Sequence, residues 1–189
     1  DCGIDLHTGA FNRCNHPHLR CDTTNERALA LAQAFNAPAI VNSNLRDGSL
    51  RSAAVAANIP MILFEAGEAL RFDEANINIG LQGILNVMQE ISMIKSVKKP
   101  TPHKSFIALS SSWVRAPVSG IHNIITRLGK HVKKGDILGE ISNPFGDGKT
   151  YIKANENGVV IGLSKLPLAN KGDALFHIAS EKSEQNSQN

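Results

Sequence analysis

Asp5-Leu6-His7 and, 58 residues later, Glu65 are the residues of this sequence best suited to chemistry. Imidazole is a good zinc ligand, and a nearby carboxylate can fix which ring nitrogen carries the proton. Gly3-Ile4-Asp5-Leu6 reads as a short strand running into a polar loop. His7 then falls just past it, at the C-terminal edge where open α/β sheets bind ligands. By spacing alone it is equally an ordinary polar residue at a strand end. Glu65 directly follows Met61-Ile62-Leu63-Phe64, an apolar run of strand length, and precedes Ala66-Gly67-Glu68. A carboxylate ending a buried strand is desolvated on one side. Beside a metal it could take a proton from bound water and hand it to a leaving amine. The alternative is a Glu that pairs with Arg71 or caps the next element.

A third cluster, Cys14-x-His16-x-His18-x-x-Cys21, has the donors of a zinc set. Its gaps of one and two residues leave little room for a tetrahedral wrap, and Pro17 stiffens the middle. The plainer reading is a polar loop holding two buried thiols. Tyr151, the only tyrosine, either caps a pocket or packs, and packing is the simpler expectation. His103, His122, His131 and His177 read as structural or surface residues.

The elements that must position these residues follow from pattern. Thr23-Thr24-Asn25-Glu26 matches a capping box, in which a Thr hydroxyl and a Glu carboxylate satisfy free amides at a helix start. That helix would run to about Phe35. Pro38-Ala39-Ile40-Val41 is the next strand, and Ser49 can cap a helix from Leu50 to about Ala57. Asp73 can cap a long helix whose Ile77, Leu81, Ile84, Leu85, Met88 and Ile91 fall on one face. Strands alternating with helices are the α/β signature. Lys95 to Lys104 carries two prolines and four lysines and reads as a solvated linker.

The second half repeats. Ala116-Pro-Val-Ser-Gly120 recurs as Ala154-Asn-Glu-Asn-Gly158, and Gly135-Asp136-x-Leu138-x-x-Ile141 recurs as Gly172-Asp173-x-Leu175-x-x-Ile178. Each copy is strand, Gly turn, strand, Gly-Asp turn, strand, and two copies would pack face to face. Residues 112–179 resemble the biotinyl/lipoyl-type hammerhead fold. Lys149 stands near the hairpin where such a domain carries its modified lysine, but no Met-Lys-Met surrounds it. A scaffold or lid is expected rather than a carrier.

Composition bounds the function. The chain has 189 residues, 42% apolar and 20% charged, with a formal charge of +3. That is ordinary for a globular protein and too dispersed for a nucleic-acid footprint. No apolar run reaches the roughly 18 residues of a membrane span. Three cysteines, all within the first 21 residues, and no signal sequence predict a cytoplasmic protein without a disulfide framework. With no initiator Met, the sequence reads as starting within a domain.

Taken in order, Ile4-Asp5-Leu6-His7-Thr8-Gly9, then Asn12-Arg13-x-Asn15-x-Pro17-x-x-Arg20, then Phe64-Glu65-Ala66-Gly67 and the β half resemble the succinylglutamate desuccinylase/aspartoacylase family. These are zinc-dependent amidohydrolases of the metallocarboxypeptidase superfamily. The resemblance implies Zn2+ as cofactor, His7 as one of three protein zinc ligands, Asp5 behind it, and Glu65 as general base and acid. It places Asn12, Arg13 and Arg20 along the acyl or carboxylate side of a pocket, where a guanidinium fork can grip a carboxylate. The family's other two ligands, a His and a Glu three residues apart, lie upstream of Asp-Leu-His, and no His-x-x-Glu occurs in this chain. The expected architecture is a partial metallocarboxypeptidase-like α/β domain (residues 1–98, its C-terminal portion), a linker (99–105), a small all-β hammerhead-like domain (106–180) and a disordered tail (181–189). The expected activity is cleavage of the amide of a small N-acyl amino acid, with a homo-oligomer allowed. The alternatives are a non-catalytic binding or oligomerisation module, or a metallocarboxypeptidase-like peptidase.

Overall fold

Short apolar runs and capped helices build the first half. The structure, a computed structural model, describes residues 1–44, 47–95 and 104–181. Its elements are β1 (Gly3–Gly9), β2 (Arg13–Cys21), α1 (Glu26–Phe35), β3 (Ala39–Asn42), α2 (Leu50–Ala56), β4 (Met61–Glu68) and α3 (Glu74–Glu90). The second half is all strand: β5 (Phe106–Ala108), β6 (Ser110–Arg115), β7 (Gly120–Ile124), β8 (His131–Val132), β9 (Ile137–Ser142), β10 (Thr150–Lys153), β11 (Gly158–Ser164), β12 (Leu168–Ala169) and β13 (Ala174–Ser180).

Ser49 and Asp73 cap α2 and α3 as expected, each side chain accepting an amide three residues on. At α1 the cap is Asn25, which accepts from Ala28 N, rather than a threonine. Asp22 takes up Thr24 instead, through both its amide and its hydroxyl.

The stretch read as a polar loop after Gly9 is a strand. After a tight turn, β2 returns antiparallel to β4, while β1 lies parallel to β4 on its other side. Beyond β2 the sheet continues through β11 and β13 to β6, so the two halves of the chain share nine paired strands. β3 lies parallel to both β2 and β5. Because β5 runs on into β6, the pairings β2–β3–β5, β6–β13 and β13–β11–β2 close into a ring. Its interior holds Ala39, Val41, Ala108, Val159, Ile161 and Ala179, small enough for a narrow bore. Ser105 donates to the Ala37 carbonyl and Phe106 N to that of Pro38, so the second half is stitched to the first where the linker ends. Residues 99–103 of that linker and 182–189 of the tail lie outside the described residues.

Outside the ring, β11, β13 and β6 pack against a second sheet, β10–β9–β7–β12, through Val160, Leu163, Phe176, Ile178, Leu138 and Ile152. The repeat read from sequence is here a pseudo-two-fold. Ala116 N donates to Asp173 O while Ala154 N donates to Asp136 O, and each alanine carbonyl accepts from the glycine of the other copy's turn, Gly172 or Gly135. Both glycines sit at φ +94°, where a side chain would be strained.

α3 is rotated from its expected setting. Gly80, Gly83 and Val87 face the core, while Ile77 and Leu81 are 46% and 55% exposed. The cause is close approach. A Cβ on Gly83 would lie 2.2 Å from the Phe35 ring, and one on Gly80 would lie 3.2 Å from Phe64. The helix touches the sheet along its glycines, and its large apolar residues are pushed to the flank. There Leu6, Phe64, Ile77, Leu81 and Ile84 line a cleft of about 360 Å³ rimmed by Arg71, Asp73 and Asn76.

Candidate functional site

The polar face of the shared sheet collects most of the residues singled out by sequence. In β1, Ile4 packs toward the helices and Asp5 and His7 point to the opposite face. In β4, Ile62, Phe64 and Ala66 fill the helix-side core, which turns Glu65 to the same face as His7. Register then sets a row: His7 is opposite Glu65, and Glu65 is opposite His18. Neither His7 nor Glu65 ends its strand, because β1 continues to Gly9 and β4 to Glu68. Both ladders slip just beyond this row. The slip in β2 falls at His16-Pro17, where proline has no N–H to give a ladder, and Gly67 takes φ +68° in β4.

Glu65 is held at both oxygens. Asn15 Nδ2 donates to Oε2 at 2.5 Å, and Arg20 Nε lies 3.2 Å from Oε1. Asn15 is buried, and the Glu65 and Arg20 side chains are 18% and 24% exposed, so a carboxylate fixed by a charge and an amide opens toward solvent on one side. Arg71, the expected partner, donates to the Leu70 carbonyl instead. His7 is half exposed, and its Nε2 lies 3.0 Å from Asp5 Oδ2. Nε2 is thus the ring nitrogen that faces the carboxylate, and Nδ1 is the one not paired with it.

Buried bases surround this face. His18 is fully buried beside Ala39 inside the ring, its Nδ1 donating to the His16 carbonyl at 2.7 Å and its Nε2 without a partner. Burial, with Arg20 nearby, pushes its pKa down to about 3. His177, also buried, is pushed to about 3 by burial first, then by Arg20, His18 and Arg13. Arg51 of α2 is buried and donates through Nη2 to Ser43 Oγ and the Asn44 carbonyl. Burial and the neighbouring Arg20 lower its pKa, while Cys21, Asp22 and Glu65 oppose the shift.

The structure separates the other candidates. Asn12 sits in the β1–β2 turn at φ +60°, a left-handed position that asparagine tolerates, and its carbonyl accepts from Lys165 N. Arg13 lies on the site face with Asn15, its guanidinium 4.9 Å above the Trp113 ring. Arg20 is taken up by Glu65. The Cys14/His16/His18/Cys21 set is dispersed: Cys14 packs on the second-sheet core, Cys21 on the helix-side core, His16 against Gly129, and His18 inside the ring. Alternate strand residues would share a face, but the slip at His16-Pro17 turns His18 away from the face of Cys14, and Cys21, three residues on, falls opposite His18. Tyr151 is half exposed on edge strand β10 rather than packed, and Lys149 pairs with Glu140 at 2.9 Å. His122 and His177 are buried, His131 meets Phe106 edge-on, and His103 lies outside the described residues. Asn15, Arg51, Trp113 and His177 were missed as site residues. For Asn15 the signal was present in Arg13-x-Asn15, an alternation that places both on one face of a strand.

A catalytic zinc takes three protein ligands and keeps one position open. Among the described residues no three His, Cys, Asp or Glu side chains form such a set. His7 offers one donor with Asp5 behind it, so the described residues alone do not fit a zinc centre.

Comparison with known proteins places this geometry in a known fold. Residues 1–91 match the family model described as the succinylglutamate desuccinylase/aspartoacylase catalytic domain. The ectoine utilization protein EutE (DoeB) from Ruegeria pomeroyi, in its apo structure, superposes with a TM-score of 0.82 at 20% identity, over 94% of this chain and 59% of that one. A succinylglutamate desuccinylase/aspartoacylase from Rhodobacter sphaeroides gives 0.82 at 21% identity, over 97% and 59%. A succinylglutamate desuccinylase from Silicibacter sp. TM1040 gives 0.81 at 20% identity, over 95% and 58%. The chain thus spans less than two thirds of the length of these relatives. No curated protein matches it in sequence.

Proposed function

We propose that this chain carries the acid–base half of an amidohydrolase acting on a small N-acyl amino acid, a reading that starts from the match of residues 1–91 to the succinylglutamate desuccinylase/aspartoacylase catalytic-domain model. The observation that supports the reading most is the Glu65 carboxylate. It stands on an open sheet face in register with His7, one oxygen accepting from Asn15 and the other ion-paired with Arg20. A fixed carboxylate of this kind takes a proton from an attacking water and returns it to the amine nitrogen that leaves. Asn15 and Arg20 orient it, and Arg20 is therefore assigned to Glu65 rather than to substrate. Asp5 stands against Nε2 of His7, which leaves Nδ1 as the nitrogen that would meet a metal. Zinc, where bound, would supply polarised water and a counter-charge for the oxyanion. From this chain the donor would be His7, and further ligands must come from outside the described residues.

Zinc titration followed by calorimetry and elemental analysis, together with amine release from N-acyl aspartate and N-acyl glutamate, tests the reading. Zinc binding should weaken in His7→Ala and stay unchanged in His18→Gln, and any amine release should vanish in Glu65→Gln. Zinc held equally by His7→Ala, or turnover unaffected by Glu65→Gln, overturns it.

A further inference from the structure

On the site face, one row crosses both halves of the chain. Trp113 is opposite His177, His177 is opposite Gly162, and Gly162 is opposite Asn15. Trp113 and His177 stack with ring centroids 4.5 Å apart and planes 11° from parallel. Arg13, two residues before Asn15 on the same strand, lays its guanidinium 4.9 Å over the Trp113 ring. Gly162 leaves the room for this. A Cβ there would come to 3.0 Å from Asn15 Oδ1, 3.2 Å from His177 Cβ and 3.7 Å from the Trp113 ring.

Arg13 differs from its neighbours in what it does with its donors. Arg20 is paired with Glu65, Arg51 with Ser43 and Asn44, and Arg71 with the Leu70 carbonyl. Among the described residues, Arg13 has neither an ion pair nor a side-chain hydrogen bond; its guanidinium meets the tryptophan face, with the buried His177 ring near enough to feel its charge. Stacking covers the flat side of a guanidinium and leaves its in-plane N–H groups outward, the geometry that meets a carboxylate in bidentate fashion. Burial keeps His177 neutral, so the platform beneath adds no charge of its own.

We propose that Trp113, stacked on His177, is a positioning residue that holds Arg13 as a binding site for a carboxylate-bearing ligand, built jointly by the two halves of the chain. The site lies on the face that carries Glu65, and Asn15 joins the two by its bond to that carboxylate. Its identity as a substrate subsite rests on the hydrolase reading. Carboxylate binding itself does not, and it is measured without metal.

Trp113 is the only tryptophan, so its emission reports directly on Arg13. The metal-free chain is titrated with succinate, and with succinamide as the neutral isostere, at constant ionic strength. Succinate should give a saturable change in emission and succinamide none, and Arg13→Gln should lose the response. By calorimetry, Trp113→Phe should bind succinate within about threefold of the native chain, while Trp113→Leu should bind at least about tenfold more weakly. Equal responses to the two ligands, an unchanged response in Arg13→Gln, or equal affinities for the Phe and Leu variants each overturn the proposal. Failure of the zinc and Glu65 experiments would leave this result standing, and the converse also holds.

Discussion

Two buried histidines, His18 and His177, should cost this protein stability in acid well above the carboxylate range. An imidazole that titrates near 6.5 in an open chain is held at about 3 at both His18 and His177. Below pH 6.5 the unfolded chain therefore binds protons that the native one refuses. Stability from this source is complete above about pH 6.5 and falls as pH drops toward 3. One pH unit corresponds to about 1.4 kcal/mol per fully refused proton, so going from pH 6.5 to 5 removes on the order of 2 kcal/mol for each histidine. The two do not escape independently, because Arg20 faces both and His18 raises the cost of charging His177. His16 and His122, also lowered by burial, act with the same sign. Urea unfolding at half-unit steps from pH 7 to 5 should show a steady loss of on the order of 4 kcal/mol from the pair. His18→Gln, which cannot titrate and keeps a donor for the His16 carbonyl, should lower the slope by about 1.4 kcal/mol per pH unit. A flat native profile across this window, or an unchanged slope in His18→Gln, refutes the reasoning.

Two further substitutions follow from the packing. Gly83→Ala should gain about 1 kcal/mol of helix propensity but force a methyl to 2.2 Å from the buried Phe35 ring. Overpacking costs about 1–3 kcal/mol, so the urea midpoint should fall; a rise would show that α3 stands farther from the sheet. Asn15→Ala deletes a buried hydrogen bond to a charged group, expected to cost about 1.5–3 kcal/mol in unfolding free energy. A loss below about half a kcal/mol would mean that Asn15 does not hold Glu65.

What could be read from sequence was what local chemistry decides. Ser49 and Asp73 cap because their side chains reach their own helix amides, and the repeat was visible because each copy spells its own turn. Asn25 was overlooked in favour of a neighbouring threonine because a string of cap-forming residues does not say which one turns the chain. β2 was read as loop because its site-facing residues, Arg13, Asn15, His18 and Arg20, are polar. The slip at His16-Pro17 moves that face from odd to even positions, so the alternation by which strands are recognised breaks mid-strand. α3 was set in the wrong rotation because apolar periodicity gives glycine no weight, although glycines made the contact. The ring depends on β2–β11 and β3–β5 pairings between residues far apart in the chain, which no local pattern encodes.

The same pairings explain why the site could not be assigned from the first half alone. Glu65 is oriented by Asn15 on β2, and β2 is fixed on its far side by β11, whose Gly162 admits Trp113 and His177 toward Asn15. The second half is therefore not an appended lid. It supplies the strand that sets the Asn15 register and the aromatic floor beneath Arg13. A methyl at Gly162 would meet Asn15, His177 and Trp113 together, so one small residue in the β half leaves room for the Asn15 side chain that holds Glu65. The Asp-Leu-His strand, by contrast, pairs among the described residues with β4 alone, on the side away from β2. This face thus has two separable parts, a His7–Asp5 edge on β1 and a Glu65–Arg13 interior whose geometry requires both halves of the chain.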